Sequence, residues 1–186
     1  MPMPDKIRLP ESLALYATLP LEECVPHYTR LSPHERLALL AAGADALTAA
    51  LAGLGEADLD RSPAPGAWTI RQIVHHLADG ETIWSIFLRM ALGVPDASAQ
   101  LEWYPGNEAW AGAMGYSERP IEAAAALFRA QRLYAAHLLE HLDPRWEQCV
   151  LVDGESMQVV DIACLLTWHA AGHVAEIGRI REQSGC

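Results

Sequence analysis

The chain has little of what binds nucleic acid, spans a membrane or builds a disulfide or thiolate framework. Only 13 Lys and Arg stand against 24 Asp and Glu, a formal net charge of −11. Phosphate binding draws on clustered basic side chains, so nucleic acid is not an expected partner. No apolar run approaches the roughly 18 residues that cross a bilayer. The start, MPMPDKIRLP, has neither a basic n-region nor an apolar h-region, so no membrane association and a cytoplasmic location are expected. The four cysteines, Cys24, Cys149, Cys164 and Cys186, are scattered without a C-x-x-C pair. That excludes thiolate zinc frameworks and the thioredoxin-type redox motif, and a cytosolic chain of this size is not expected to form disulfides. Cys164 reads as a small hydrophobe within a helix. Internal repeats are also lacking.

What is present is helical periodicity. The chain has 186 residues, 51% of them hydrophobic, enough for one domain with a full core over 1–186. Apolar residues recur at three- and four-residue intervals in four long stretches separated by Pro and Gly. The first helix is expected from Pro33 to Leu54, with Ser32 as N-cap, Pro33 in the first turn and Gly53 and Gly55 as stops. The second runs from Thr69 to Leu92 and ends at Gly93 and Pro95. The third runs from Pro120 to Leu142 and is closed by Asp143 and Pro144, and the fourth runs from Val159 to Glu182. Residues 1–31 read as an extended N-terminal segment. Residues 93–118, carrying Trp103, Tyr104 and Trp110, form a connection long enough to be functional or partly structured. Ahead of the last helix, QCVLVDGESMQVV alternates around Asp153 and Gly154, the pattern of a small β-hairpin. The expected architecture is all-α, a four-helix bundle with long crossover connections.

The histidines carry the chemistry. On the fourth helix Ile162, Leu166, Ile177 and Ile180 define the buried stripe, and His169 and His173 lie in its middle. Two imidazoles one turn apart on one face can hold a single metal ion. Without an ion, four ring nitrogens in an apolar core each need a partner. On the second helix His76 lies at the edge of the buried arc beside Ile73 and Gly80 and is the candidate third ligand. His75 falls with Arg71 and Asp79 on the polar side and reads as surface. Gly80, one turn after His76, leaves room close to the backbone.

Glu81 and Glu176 also point inward. Each can support a ligand imidazole, supply a fourth ligand, act as general base, or form a core salt bridge with Arg89, Arg179 or Arg181. A rival pair, His137 and His141, has the same spacing on the third helix, but His141 lies at the helix end, where a histidine commonly caps the last carbonyls. His27 and His34 read as surface. Trp103, Trp110 and Trp168 either wall an apolar pocket or serve ordinary packing.

Three segments carry a family resemblance. PGAWTIRQIVHHLADGE at 65–81 matches a W-[ST]-x-R-Q-x-x-H-H-x-A-D pattern, and WHAAGHVAEIGRIRE at 168–182 matches W-H-x-x-H-H-x-A-H-I-x-x-x-R-E. YPGNEAWA at 104–111 matches Y-x-x-x-x-W-A. In these the chain resembles the DinB superfamily, more narrowly its YfiT-like metal-dependent hydrolases, a group that includes bacillithiol S-transferases. The resemblance implies a DinB-like bundle, often dimeric, in which His76, His169 and His173 hold a divalent metal. It departs at Gly80 and Glu81, where Ser and His are frequent, and at Gly172 and Glu176, which replace histidines.

Three neutral imidazoles leave a tetrahedral ion one open position, the arrangement of catalytic rather than structural sites. The expected protein is a metal-dependent enzyme, a hydrolase activating water or a transferase activating a low-molecular-weight thiol, that acts on a small-molecule electrophile. Glu81 or Glu176 accepts the proton, and zinc or nickel is the foremost metal. The alternative is a binding or stress-response protein with a structural metal. A carboxylate-bridged di-iron bundle is excluded for want of two Glu-x-x-His pairs.

Overall fold

Four long helices follow from the periodicity and from local stop and start signals. The computed structural model describes residues 9–142 and 145–184; Asp143, Pro144 and Cys186 therefore lie outside the described residues. Two short helices come first, α1 (Glu11–Ala14) and α2 (Leu21–Arg30). Next is α3 (Pro33–Leu51), begun by a capping box in which the Ser32 hydroxyl accepts from the Glu35 amide and the Glu35 carboxylate accepts from the Ser32 amide. A single turn, α4 (Glu56–Leu59), leads to α5 (Ile70–Gly93), capped in the same reciprocal way by Thr69 and Gln72. The later elements are β1 (Ser98–Ala99), α6 (Asn107–Ala113), α7 (Glu122–His141), β2 (Cys149–Val152), β3 (Glu155–Gln158) and α8 (Val159–Ser184).

The bundle is built from α3, α5, α7 and α8. Both α3 and α5 pack against α7 and α8, which sets α3 diagonally across from α5 and α7 across from α8. Two of the three connections in chain order therefore cross the bundle, as the long linkers require. The interior is a continuous cluster that includes Leu40, Leu47, Ile73, Leu77, Leu88, Phe128, Leu139, Leu166 and Ile177.

The expected hairpin is present. Asp153 and Gly154 both have positive φ, 52° and 85°, as the two central residues of a tight Asp-Gly hairpin turn must. Alternation puts Val150 and Val152 into the core and leaves Cys149 and Leu151 outside. A feature the pattern did not indicate is β1, which pairs in parallel with β2, while the Leu101 amide donates to the Asp153 carboxylate.

The N-terminal segment differs from expectation. Residues 21–30 are helical rather than extended, with Pro20 as N-cap, and α2 lies against α8 with Cys24 and Tyr28 fully buried. Its apolar residues, Leu21, Cys24, Val25 and Tyr28, keep the helical period, but Pro26 inside the helix and its short length obscured the signal. The boundaries also move: α3 stops at Leu51, before Gly53 with its φ of 78°, and α7 starts at Glu122 rather than Pro120. Among the described residues no helix is long and apolar enough to cross a membrane.

Candidate metal centre

Two helices bring three imidazoles together. His76 projects from α5, and His169 and His173 project one turn apart from α8, so that one ligand atom of each lies within 4.8 Å of the others. The ring centroids are 4.8 to 4.9 Å apart, and the planes are nearly perpendicular. His76 Nε2 and His169 Nε2 face each other at 2.8 Å. Two N–H groups cannot face at that distance, so at least one ring presents a bare lone pair, the form in which imidazole binds a metal.

Electrostatics favours that form. Burial, reinforced by His173, pushes the His76 imidazolium down to about 4, with Asp79 and Glu176 opposing. Burial, then His173, His76 and Arg132, pushes His169 well below the usual range. Both rings are neutral at pH 7. The sign of the resulting pH dependence follows. The unfolded chain takes up protons near the ordinary value of 6.5, and these folded-state rings do not. The metal-stripped protein is therefore expected to be most stable above pH 6.5 and to lose stability as pH falls from 6.5 toward 4, by roughly 1.4 kcal/mol per pH unit for each such ring. Urea unfolding of chelator-treated protein across that window measures it, and His76→Ala should flatten the slope.

Backbone shape makes the site possible at Gly80. A Cβ there would lie 2.9 Å from His169 Cε1 and 3.5 Å from its Nδ1. Gly80→Ala must displace the His169 ring, and we expect metal affinity to fall about 10- to 100-fold, the range seen when support of a ligand is disturbed. A chelator competition checks this, with helicity as control because alanine is the better helix former.

The surroundings of the rings are specific. Glu176 Oε2 lies 3.1 Å from His173 Nδ1, a contact that leaves Nε2 as the nitrogen available to an ion and holds the Glu176 carboxyl below its ordinary value. Trp68 lies edge-on to His76 at 4.7 Å and stacks over His173 at 6.4 Å. Beyond them an open cleft of about 300 Å³ is lined by Trp68, His76, Asn107, Glu108, His173 and Glu176, together with Gly66 and Ala67.

Several sequence expectations resolve differently. Glu81 is not brought to the cleft. It is fully buried in the bundle interior, where Arg132 Nη2 of α7 donates to its Oε2 at 2.6 Å. Its partner is thus none of Arg89, Arg179 and Arg181. Arg89 sits over the Tyr134 ring, and Arg181 donates to the Ala50 and Ala52 carbonyls.

His75 is not a surface residue. It is 2% exposed, stacked on Tyr116, with Nε2 3.2 Å from the Arg119 carbonyl. The wheel placed it away from the bundle correctly, but residues 104–119 fold over that face. Asp79 holds the cover down by accepting from Trp110 Nε1 at 2.9 Å and from the Tyr116 hydroxyl at 2.5 Å.

Of the candidate pocket tryptophans, Trp168 donates to the Leu19 carbonyl and ties α8 to the N-terminal segment. Trp103 is 54% exposed and packs on Tyr104 and Trp110. Trp68 is the indole at the site. It was missed, as were Asn107 and Glu108, although all three lie inside the segments that carried the resemblance. His137 and His141 have adjacent rings but are exposed, and the one metal-competent group found among the described residues is the His76 cluster.

A family model described as the DinB superfamily matches residues 39–177, which reach into all four bundle helices and include all three histidines. The chain belongs to the DinB superfamily. It is 31% identical over 144 residues to a protein of Geobacillus thermodenitrificans named "Putative metal-dependent hydrolase", covering 76% of this chain and 79% of that one. A Geobacillus kaustophilus protein with the same description is 29% identical, covering 75% and 78%. The fold is similar to that of YfiT from Bacillus subtilis, described as "a probable metal-dependent hydrolase with an unusual four-helix bundle topology". The TM-score is 0.73 at 23% identity, covering 82% of this chain and 87% of that one.

Proposed function

We propose that this protein is a metal-dependent enzyme whose ion is held by His76, His169 and His173, and that it activates a nucleophile against a small-molecule electrophile. One observation carries the reading: three imidazoles, two of them held neutral, converge, and His76 and His173 of the three line an open cleft. The donor set fits a divalent ion such as zinc or nickel. A divalent ion held by these imidazoles would acidify a bound water or thiol.

The chain's own residues do the rest. Glu176 orients His173 through Nδ1 and, ionised at neutral pH, can take the proton the nucleophile releases. Trp68 walls the cleft and fixes the planes of His76 and His173. Glu81, locked to Arg132, is assigned to the core rather than to proton transfer. With Glu176 engaged by His173, the donors that would hold an ion are the three imidazoles, which favours a catalytic over a structural site.

The resemblance supports a thiol as the nucleophile and a homodimer; the length of the chain and its N-terminal sequence support a single-domain, cytoplasmic protomer. The test is to load the protein with zinc or nickel, add an electrophilic probe, and compare turnover with and without bacillithiol. Turnover only with thiol establishes an S-transferase, and turnover in water alone establishes a hydrolase. No turnover under either condition, with metal bound, makes this a binding protein.

A further inference from the structure

Arg71, His75, His76 and Asp79 all belong to the segment that carries the family resemblance, yet His76 alone of the four joins the imidazole cluster. The other three are spaced by four along α5, which puts them on one face of the helix, with His76 about 100° round from its centre. Residues 104–119 cover that face, and each of the three holds them. Arg71 Nη1 and His75 Nε2 both donate to the Arg119 carbonyl at 3.2 Å, and His75 stacks on the Tyr116 ring. Asp79 Oδ2 accepts from the Tyr116 hydroxyl and from Trp110 Nε1 of α6.

The segment has little other attachment. Among the described residues its backbone hydrogen bonds all stay within 101–119, and its two buried side chains, Ala111 and Tyr116, stand outside the continuous hydrophobic core. It nevertheless forms a wall of the cleft, because Asn107 and Glu108 line it with Trp68, His76 and His173. The helix that supplies one imidazole thus also fixes, through a separate row of side chains, where that wall lies.

We propose that Arg71, His75 and Asp79 are positioning residues that set the 104–119 wall, and that this wall selects the substrate while the ion is held independently of it. The inference rests on the metal-centre reading, since the cleft beside the imidazoles must receive the substrate. Asp79 carries the largest share, because a carboxylate accepting two bonds is the strongest of the three anchors.

The zinc-loaded full chain is compared with Asp79→Ala, Asp79→Asn and Tyr116→Phe variants by hydrogen exchange, chelator competition and calorimetric binding of two thiols, 2-mercaptoethanol and the bulkier phenylmethanethiol. Wild type is expected to prefer the bulkier thiol, which has surface to lay on the wall. In Asp79→Ala, exchange across 104–119 should rise at least about tenfold, the scale of losing one hydrogen bond to a charged group. Exchange in α5 and α8 and zinc affinity should stay as in wild type. The preference for phenylmethanethiol should fall about fivefold, because a wall ordered only on binding weakens the ligand that touches it. Asp79→Asn keeps an acceptor oxygen and should restore most of both properties, and Tyr116→Phe, which removes one donor, should lose both in part. If Asp79→Ala does not fold, Tyr116→Phe carries the same comparison. Unchanged exchange in 104–119, an unchanged thiol ratio when exchange has risen, or a loss of zinc affinity alongside the loss of preference overturns the proposal. So does zinc-loaded wild type that binds neither thiol or shows no preference. Absence of stoichiometric zinc in wild type defeats the metal-centre reading instead, and exchange in 104–119 still decides whether Asp79 holds the wall.

Discussion

His169→Ala protein is expected to emerge from purification without stoichiometric metal and to bind zinc or nickel at least about 100-fold more weakly than wild type, a larger loss than disturbing a supporting residue causes. His169 is central in the cluster: its Nε2 faces His76 Nε2 at 2.8 Å, and its ring packs on the bare backbone of Gly80. Removing it leaves His76 and His173 with no third imidazole among the described residues to complete the group. His76→Ala and His173→Ala should behave alike, whereas His137→Ala, on an exposed face of α7, should keep full occupancy. Elemental analysis with a chelator titration measures all four. Full metal in each of the three cluster variants would show that the ion, if any, sits elsewhere.

The second large effect is on stability. Arg132→Met should cost about 3–5 kcal/mol, because it leaves the Glu81 carboxylate buried without its partner. Both side chains are 0% exposed, and Arg132 Nη2 also donates to the Leu166 carbonyl at 2.6 Å, one turn before His169. Burial pushes the Glu81 carboxyl up, and the guanidinium pulls it back down. The double variant Arg132→Met, Glu81→Leu should recover most of the loss, since replacing both members of a buried pair with apolar groups is often near neutral. Gly43 is part of the same arrangement, because a Cβ there would lie 2.6 Å from Arg132 Nη1. Urea unfolding of the three proteins decides the matter. A single variant as stable as wild type would mean the pair contributes no net stability.

Much of this was legible in order along the chain because the signals are local. Ser32 and Thr69 announce helix starts through side-chain oxygens that reach only three residues ahead, and the Asp153–Gly154 turn is set by two residues that tolerate positive φ. The apolar stripes place His169 and His173 on one face by geometry alone, since 3.6 residues per turn stacks positions i and i+4. The placing of His76 on the bundle side of its helix follows from the same wheel. Where local signals were weak the reading failed: α2, with Pro26 inside it, drew its stability from burial of Cys24 and Tyr28 against α8.

The sequence by itself thus determined four helices, a hairpin and the faces on which three histidines lie. Only the tertiary structure decided which groups meet across helices. A wheel describes one helix against an unspecified interior, so it counted Glu81 as a site residue when Arg132 of α7 was waiting for it, and it counted His75 as surface when residues 104–119 cover that side. Trp68 reaches the cleft from the segment before α5, and Asn107 and Glu108 reach it from the short helix α6, whose Trp110 is tied by a long-range hydrogen bond to Asp79. Which histidines a helix presents inward is a matter of local geometry; what stands opposite them depends on packing between segments far apart in the chain.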